Sequence, residues 1–474
     1  AKWDNGSDIT GYDFAFTMKA AFNPYLSNPT WRDNMKHITD LIVDEQNPKK
    51  FTVITNNKYI LSEEVITTND IYPEYIYDPE HLLKDIRFEQ LLDSIEVNSV
   101  LDSVLHRFAD QFNGENFSRS IVSGSGPYEF VSWSPNQQLT LKRKENWWGR
   151  PFADKHPCLQ AEPASIIYYF IEEAQTAITA LKDYRIDVVA EITPEQYTGL
   201  KAFDDPKHPI QLEAASVYSY YFIAYNNDNP ILRDRRVRNA ISRLMDIDNI
   251  IEQLFYGLAV RTVGPLSPQH AGYNHNLSPL PFDPAEAKSL LELAGWSDTD
   301  DDGILDKEFN GIKKDFNLTI LTTPGGLGED VAIVLKSEAK KIGLEFQILP
   351  AKVAKLLKDT KSNNYDLACL ASVQSIGAYD PYNLWHSETA GPDGTNLTNF
   401  RNIEADSLIN EIRITLDREA RNKLYLRFQE IIYEEQPALF LVSPKTAFAA
   451  KGNLELKSTS LRPGFFENTI SLKN

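Results

Sequence analysis

The sequence predicts an α/β fold, and two observations lead to it. Runs rich in β-branched and aromatic residues alternate with helical stretches whose apolar residues recur at helical spacing. The chain of 474 residues is also too long for one core, so the alternation must be shared between two or three lobes.

The elements follow in order. Residues 1 to 120 hold a short helical pattern (13–21), a strand (51–55) and polar helices around 80–112. Next comes "GSGPYEFVSWSPNQQLTLKRKENWWG", residues 124–149. Its glycines invite comparison with a phosphate loop, but a P-loop ends in Gly-Lys-Ser/Thr and opens a helix. Here an alternating strand follows, with Tyr128, Phe130 and Ser132 on one face and Glu129, Val131 and Trp133 on the other. Ser134-Pro135-Asn136 is turn chemistry, and a second alternating strand returns, so the stretch is a β-hairpin.

A strand (164–171), a helix, and a strand in "IDVVAEI" come next, followed by an aromatic strand at 216–227. Asp246 caps one later helix; Asp283 caps another, with Pro284 at its first position. Two strands, "FNLTILTT" and "GLEFQIL", flank a helix (330–342). "YDLACLA" is a further buried strand, and Asp417 opens a long helix that ends before Pro437.

Composition narrows the function classes. Forty-eight basic and 67 acidic side chains leave a net charge of −19, which repels nucleic-acid phosphates and anionic lipid. No apolar run approaches the roughly 18 residues of a membrane span. The opening "AKWDNGSDIT" has no leader character, so any signal peptide is expected outside it. Cys158 and Cys369 are too few for a disulfide scaffold or a cysteine-built zinc site. Catalytic signatures are missing: Ser123 stands where a nucleophile elbow needs glycine, and the eight histidines lack metal-ligand spacing. "DTDDDGILD" is like a calcium loop, with Asp298, Asp300 and Asp302 alternating before Gly303. Position 12 is Phe309, not glutamate, leaving a weak Ca²⁺ site or a solvated acidic turn; no other cofactor is called for.

Several motifs occur in one order. The glycine-turn hairpin with its aromatic pair, "KWDNGSDITGYDFAFTMKA", "NNDNPILRDRRVRNAISRLMDIDNII", "DPYNLWHSE" and the helices of 405–441 together resemble the peptide- and nickel-type extracellular solute-binding proteins of ABC importers. The resemblance implies a two-lobed periplasmic-binding-protein-like fold (type II, with an extra small domain) whose hinge closes on ligand. Mapped here, 1–120 is the extra domain, 121–215 the first lobe, 216–448 the second, and 449–474 the return to the first. It further implies no enzymatic step, an ABC permease as partner, a monomer, and a periplasmic or cell-surface location with a lipid anchor outside the sequence. Family members carry a strand-rich segment before the Trp-Asp-Gly motif, here Trp3-Asp4-Asn5-Gly6, so about half a domain is expected to lie outside the chain. Trp133, Trp147 and Trp148 are expected to be packing residues.

Ligand contacts implied by the resemblance are Tyr218, Ser219 and Tyr220 on the crossover strand and Gln374, Ser375, Tyr379, Asp380, Tyr382 and Trp385 in the loop after the buried strand "YDLACLA". His386 is either a cleft residue or a structural one. In the peptide-binding branch an aspartate three residues before the loop's Asp-Pro holds the peptide's amino group; here that position is Gly377. The alternatives from other classes are a carbohydrate-active hydrolase and the ligand-sensing domain of a regulator.

Overall fold

A computed structural model describes residues 1–28, 31–32, 35–56, 58–92 and 99–473. They form two compact units: residues 1–187 with 451–457 and 465–474, and residues 188–450 with 458–464. Residues 188–215, read from sequence as first lobe, count with the second unit because their strands pair with a strand of that unit.

In the first unit, helix α1 (Gly11–Ala21) begins with a capping box in which Thr10 and Asp13 satisfy each other's backbone N–H groups. The Trp3 indole also donates to Asp13, at 2.8 Å, tying the opening motif to the helix start. Residues Phe14, Met18 and Phe22 pack towards Met35, Ile38 and Phe88, while Phe16 and Ala20 pack against Leu105 and Phe108 of α2 (Ser99–Phe112). One helix therefore joins two apolar clusters, its i, i+4 spacing setting which side chains reach which. Strands β1 (Ile38–Val43) and β2 (Phe51–Thr55) pair antiparallel beside it. Part of the helical region expected around 80–112 falls at 93–98, outside the described residues.

The predicted hairpin is β3 (Tyr128–Ser134) and β4 (Gln138–Arg143), extended by β5 (Ser165–Tyr169) into a three-stranded sheet. A bulge between Phe130 and Ser132 interrupts the strict alternation read from sequence. The glycine turn and the Trp pair prove to be one device: the indoles of Trp147 and Trp148 both donate to the Ser125 carbonyl, at 2.8 and 2.9 Å. Gly149 lies against the Trp147 ring, where a Cβ would come within 2.4 Å. Trp147 is buried and Trp148 half-buried. Trp133 departs from the packing expectation, being 38% exposed beneath the Arg119 guanidinium. Cys158, in this unit, and Cys369, in the other, are both free.

The second unit is built on a mixed eight-stranded sheet. Its path runs β13 (Glu345–Pro350), β12 (Asn317–Thr322), β14 (Leu367–Val373), β8 (Ser219–Tyr225), β15 (Ala438–Lys451) and β6 (Val188–Ile192). Strands β7 (Ile210–Ser216) and β9 (Ala259–Arg261) join it against β15. β12 is parallel to β13 and β14, and helix α3 (Leu327–Lys340) crosses over with Val331, Ala332, Leu335 and Ala339 buried on the sheet. The aromatic strand read as 216–227 is split at Val217 and Tyr218, which separate β7 from β8. β15 was not anticipated, although it is the longest strand among the described residues. Pro444 argues against a central strand, and the chain accommodates it beyond a bulge between Phe440 and Val442, where its partner is Ala259 of short β9. The helix Arg418–Glu435, here α4, ends with Gln436 at φ 46°, just before Pro437.

Candidate functional site

Sheet register brings the two predicted groups of residues together. Tyr220 lies opposite Ser372 and Ser219 opposite Val373, and the Gln374 amide donates to the Tyr218 carbonyl at 2.7 Å. The loop after β14 therefore leaves the sheet beside the start of β8. Its residues are then fixed one at a time. Gln374 accepts from Ser267 N–H (2.7 Å) and donates to the Pro265 carbonyl (2.8 Å), using both ends of its amide. Asp380 accepts from Tyr382 N–H and from Arg413 Nε, each at 3.0 Å. Tyr379 exchanges both backbone groups with the Tyr425 hydroxyl, and its own hydroxyl accepts from the Trp385 indole at 2.9 Å.

An aromatic column backs the loop. Tyr220 stands 5.5 Å from Phe222 and 5.8 Å from Phe440, and Trp385 stands 5.9 Å from Phe440. Trp385 is 1% exposed and Tyr220 is fully buried, so each supports the site from behind. Tyr382 is sandwiched, with His386 stacked at 4.5 Å and the Arg413 guanidinium 4.2 Å from its centroid. Ser375, Ile376 and Gly377 form the exposed rim, while Tyr218, Tyr379 and Tyr382 are half-buried.

Burial pushes the Tyr220 and Tyr425 phenols up to about 12 and holds Tyr379 well above the ordinary range, so all three stay protonated near neutrality. The Tyr220 hydroxyl and the Ser219 Oγ are buried without a hydrogen-bond partner. Among the described residues, the two buried histidines have structural duties. His386 accepts from Glu388 N–H and faces Asn410; His270 bonds Gly272 N–H and the Gly377 carbonyl.

The acidic loop differs in detail from its reading. Oxygens of Asp298, Asp300 and Asp306 lie within 4.8 Å of one another, whereas Asp302 is outside this group and accepts from Ile304 N–H. Lys313, from the hairpin of β10 (Asp306–Phe309) and β11 (Ile312–Asp315), places its ammonium 2.5 Å from Asp300 and 3.2 Å from Asp306. Hydrogen bonding from Thr299, foremost its backbone N–H, holds the Asp306 carboxyl below the usual range. A lysine thus supplies the positive charge that a bound cation would bring.

Arg413, Tyr425 and His270 were not found by sequence reasoning. They act on the loop from 33, 46 and 107 residues away, and no local spacing signals them.

The family described as bacterial extracellular solute-binding proteins, family 5 Middle, matches residues 1–393. The oligopeptide-binding protein AppA of Bacillus subtilis (strain 168) is 29% identical over 349 residues, which is 72% of this chain and 60% of that protein. Heme-binding protein A of Haemophilus influenzae is 26% identical over 320 residues, 66% of this chain and 53% of that protein. The matched part thus spans between 53% and 60% of the length of these two relatives. Among solved structures, Bacillus subtilis AppA in complex with a nonapeptide gives a TM-score of 0.69 at 22% identity, covering 100% of this chain and 85% of that one. NikZ from Campylobacter jejuni in complex with Ni(L-His) gives 0.69 at 20% identity, covering 96% and 81%. These likenesses establish the two-lobed binding-protein fold.

Proposed function

We propose a function from one premise: this chain belongs to the bacterial extracellular solute-binding proteins of family 5. It captures a small solute, a peptide or another polar oligomer, outside the cytoplasmic membrane and hands it to the permease of an ABC importer. The observation that carries this reading is the loop at 374–385. Buried neighbours fix its aromatic and hydroxyl groups, while Ser375, Ile376 and Gly377 remain exposed, which is the character of a preformed recognition surface. Relatives named for binding oligopeptides, di- and tripeptides and heme support a solute of that size. Binding energy comes from aromatic faces and fixed polar groups, no chemical step is needed, and hinge closure is the expected motion.

The ligand is not held by an amino-terminal salt bridge at the usual place. Gly377 offers no carboxylate there, and Asp380 already pairs with Arg413. An ammonium buried without a counter-charge is strongly disfavoured, so a blocked or modified peptide or an uncharged polar oligomer fits better.

Native mass spectrometry of protein purified from its own host tests the proposal. A one-to-one complex that releases a small molecule on unfolding is expected. A bare chain that also fails to bind any solute offered afterwards would contradict it.

A further inference from the structure

We propose that His270 is a positioning residue that holds the exposed loop at 374–380 and lets it loosen in acid. The effect on solute capture rests on the function proposed above; the effect on the loop does not.

His270 lies in a tight turn, its N–H bonded to the Ser267 carbonyl and its carbonyl to Tyr273 N–H, and it is 6% exposed. Nδ1 accepts from Gly272 N–H at 2.9 Å, so the ring proton sits on Nε2, which donates to the Gly377 carbonyl at 3.1 Å. The ring meets Tyr425 edge-on at 5.5 Å, and Tyr425 in turn fastens both backbone groups of Tyr379. Ring and phenol thus pin residues 377 and 379 of one loop. The turn has no slack: a Cβ at Gly272 would fall 2.6 Å from the Tyr425 ring.

The charges that act on the imidazole from α4 are Arg421 and Arg418, both positive. Tyr425 is neutral, and Asp380 beyond it is paired with Arg413. On the histidine's own segment, Tyr273 and His275 meet edge-on at 4.8 Å. Burial first, and the two guanidiniums after it, hold the imidazole below its ordinary value, against the pull of the Gly377 bond. At neutral pH the ring is neutral. Protonation puts a second N–H on Nδ1, facing the Gly272 N–H, so a bond becomes donor against donor. The turn must move, and Tyr425 moves with it. For a histidine lowered in the folded state, the stabilisation is complete above the ordinary imidazole value and is lost as pH falls through the folded one. Acid therefore loosens the loop.

Amide exchange of the intact chain, corrected for intrinsic rates, tests this at about pH 7.5 and about pH 5. Protection at 374–380 is expected to fall severalfold in acid while β8 and β12 keep theirs. His270→Gln keeps a donor at the Nε2 position and cannot titrate, so its loop protection is expected to be the same at both pH values. Imidazole ¹⁵N shifts of the unaltered chain provide a readout independent of that variant, and protonation of Nδ1 is expected to track the loss of protection. A loop indifferent to pH, a glutamine variant that loosens as much as the parent, or loosening without titration of the ring would overturn the proposal.

Discussion

Tyr220 carries a hydroxyl that is fully buried and has no hydrogen-bond partner. Such a group costs stability unless something satisfies it. Tyr220→Phe is therefore expected to unfold in urea at the parent's midpoint or above it. A clear loss of stability would show that the hydroxyl is already bonded. Trp385 presents the opposite case. It is buried against Phe440 and bonded to Tyr379, so Trp385→Ala should cost about 3–5 kcal/mol by chemical denaturation. A loss below about 1 kcal/mol would place it outside the core. The resemblance makes Tyr220 and Trp385 candidate contacts, one on the crossover strand and one in "DPYNLWHSE". That Trp385 faces inward was not legible: burial depends on Phe440, from a strand that the proline at 444 concealed.

Among the elements, helices were the most legible, since their caps are local. Asp246, Asp283 and Asp417 each accept a backbone N–H where a helix starts, whereas the Thr10 cap sets a start at Gly11 that the pattern read from residue 13 missed. Strands depend on partners far away in sequence, which is why β7, β9 and β15 escaped notice while hydrophobic β8, β12 and β14 did not. The acidic loop is intermediate: its aspartates are visible in the sequence, but Lys313 reaches them only through the following hairpin. With that ammonium in place, Ca²⁺ should leave the melting temperature of the parent chain unchanged, whereas Lys313→Met should gain a Ca²⁺-dependent rise. A rise in the parent that chelation reverses would show that Ca²⁺ displaces the lysine. The lowered Asp306 carboxyl has a linked consequence. Its contribution is complete above the ordinary aspartate value of 3.8 and is lost as pH falls through the lower folded value. Asp306→Asn should flatten that part of an acid-unfolding curve, and an unchanged curve would assign the acid limb to other carboxylates.

For the whole molecule, family membership was legible because several motifs recur in order along the chain, and the match over residues 1–393 bears it out. The boundary between units was less so, since the strands of residues 188–215 follow their pairing with β15. If capture proceeds by hinge closure, small-angle scattering should show a smaller radius of gyration when a saturating solute is added. An unchanged radius with a tightly bound solute would rule that motion out. The most direct test of solute capture is calorimetry of the intact chain with free and N-acetylated di- to pentapeptides and neutral oligosaccharides. The predicted result is saturable one-to-one binding by at least one class, with any peptide affinity indifferent to acetylation. Tight binding of free peptides that acetylation abolishes would contradict the ligand assignment, and the absence of saturable binding across the panel would contradict solute capture itself.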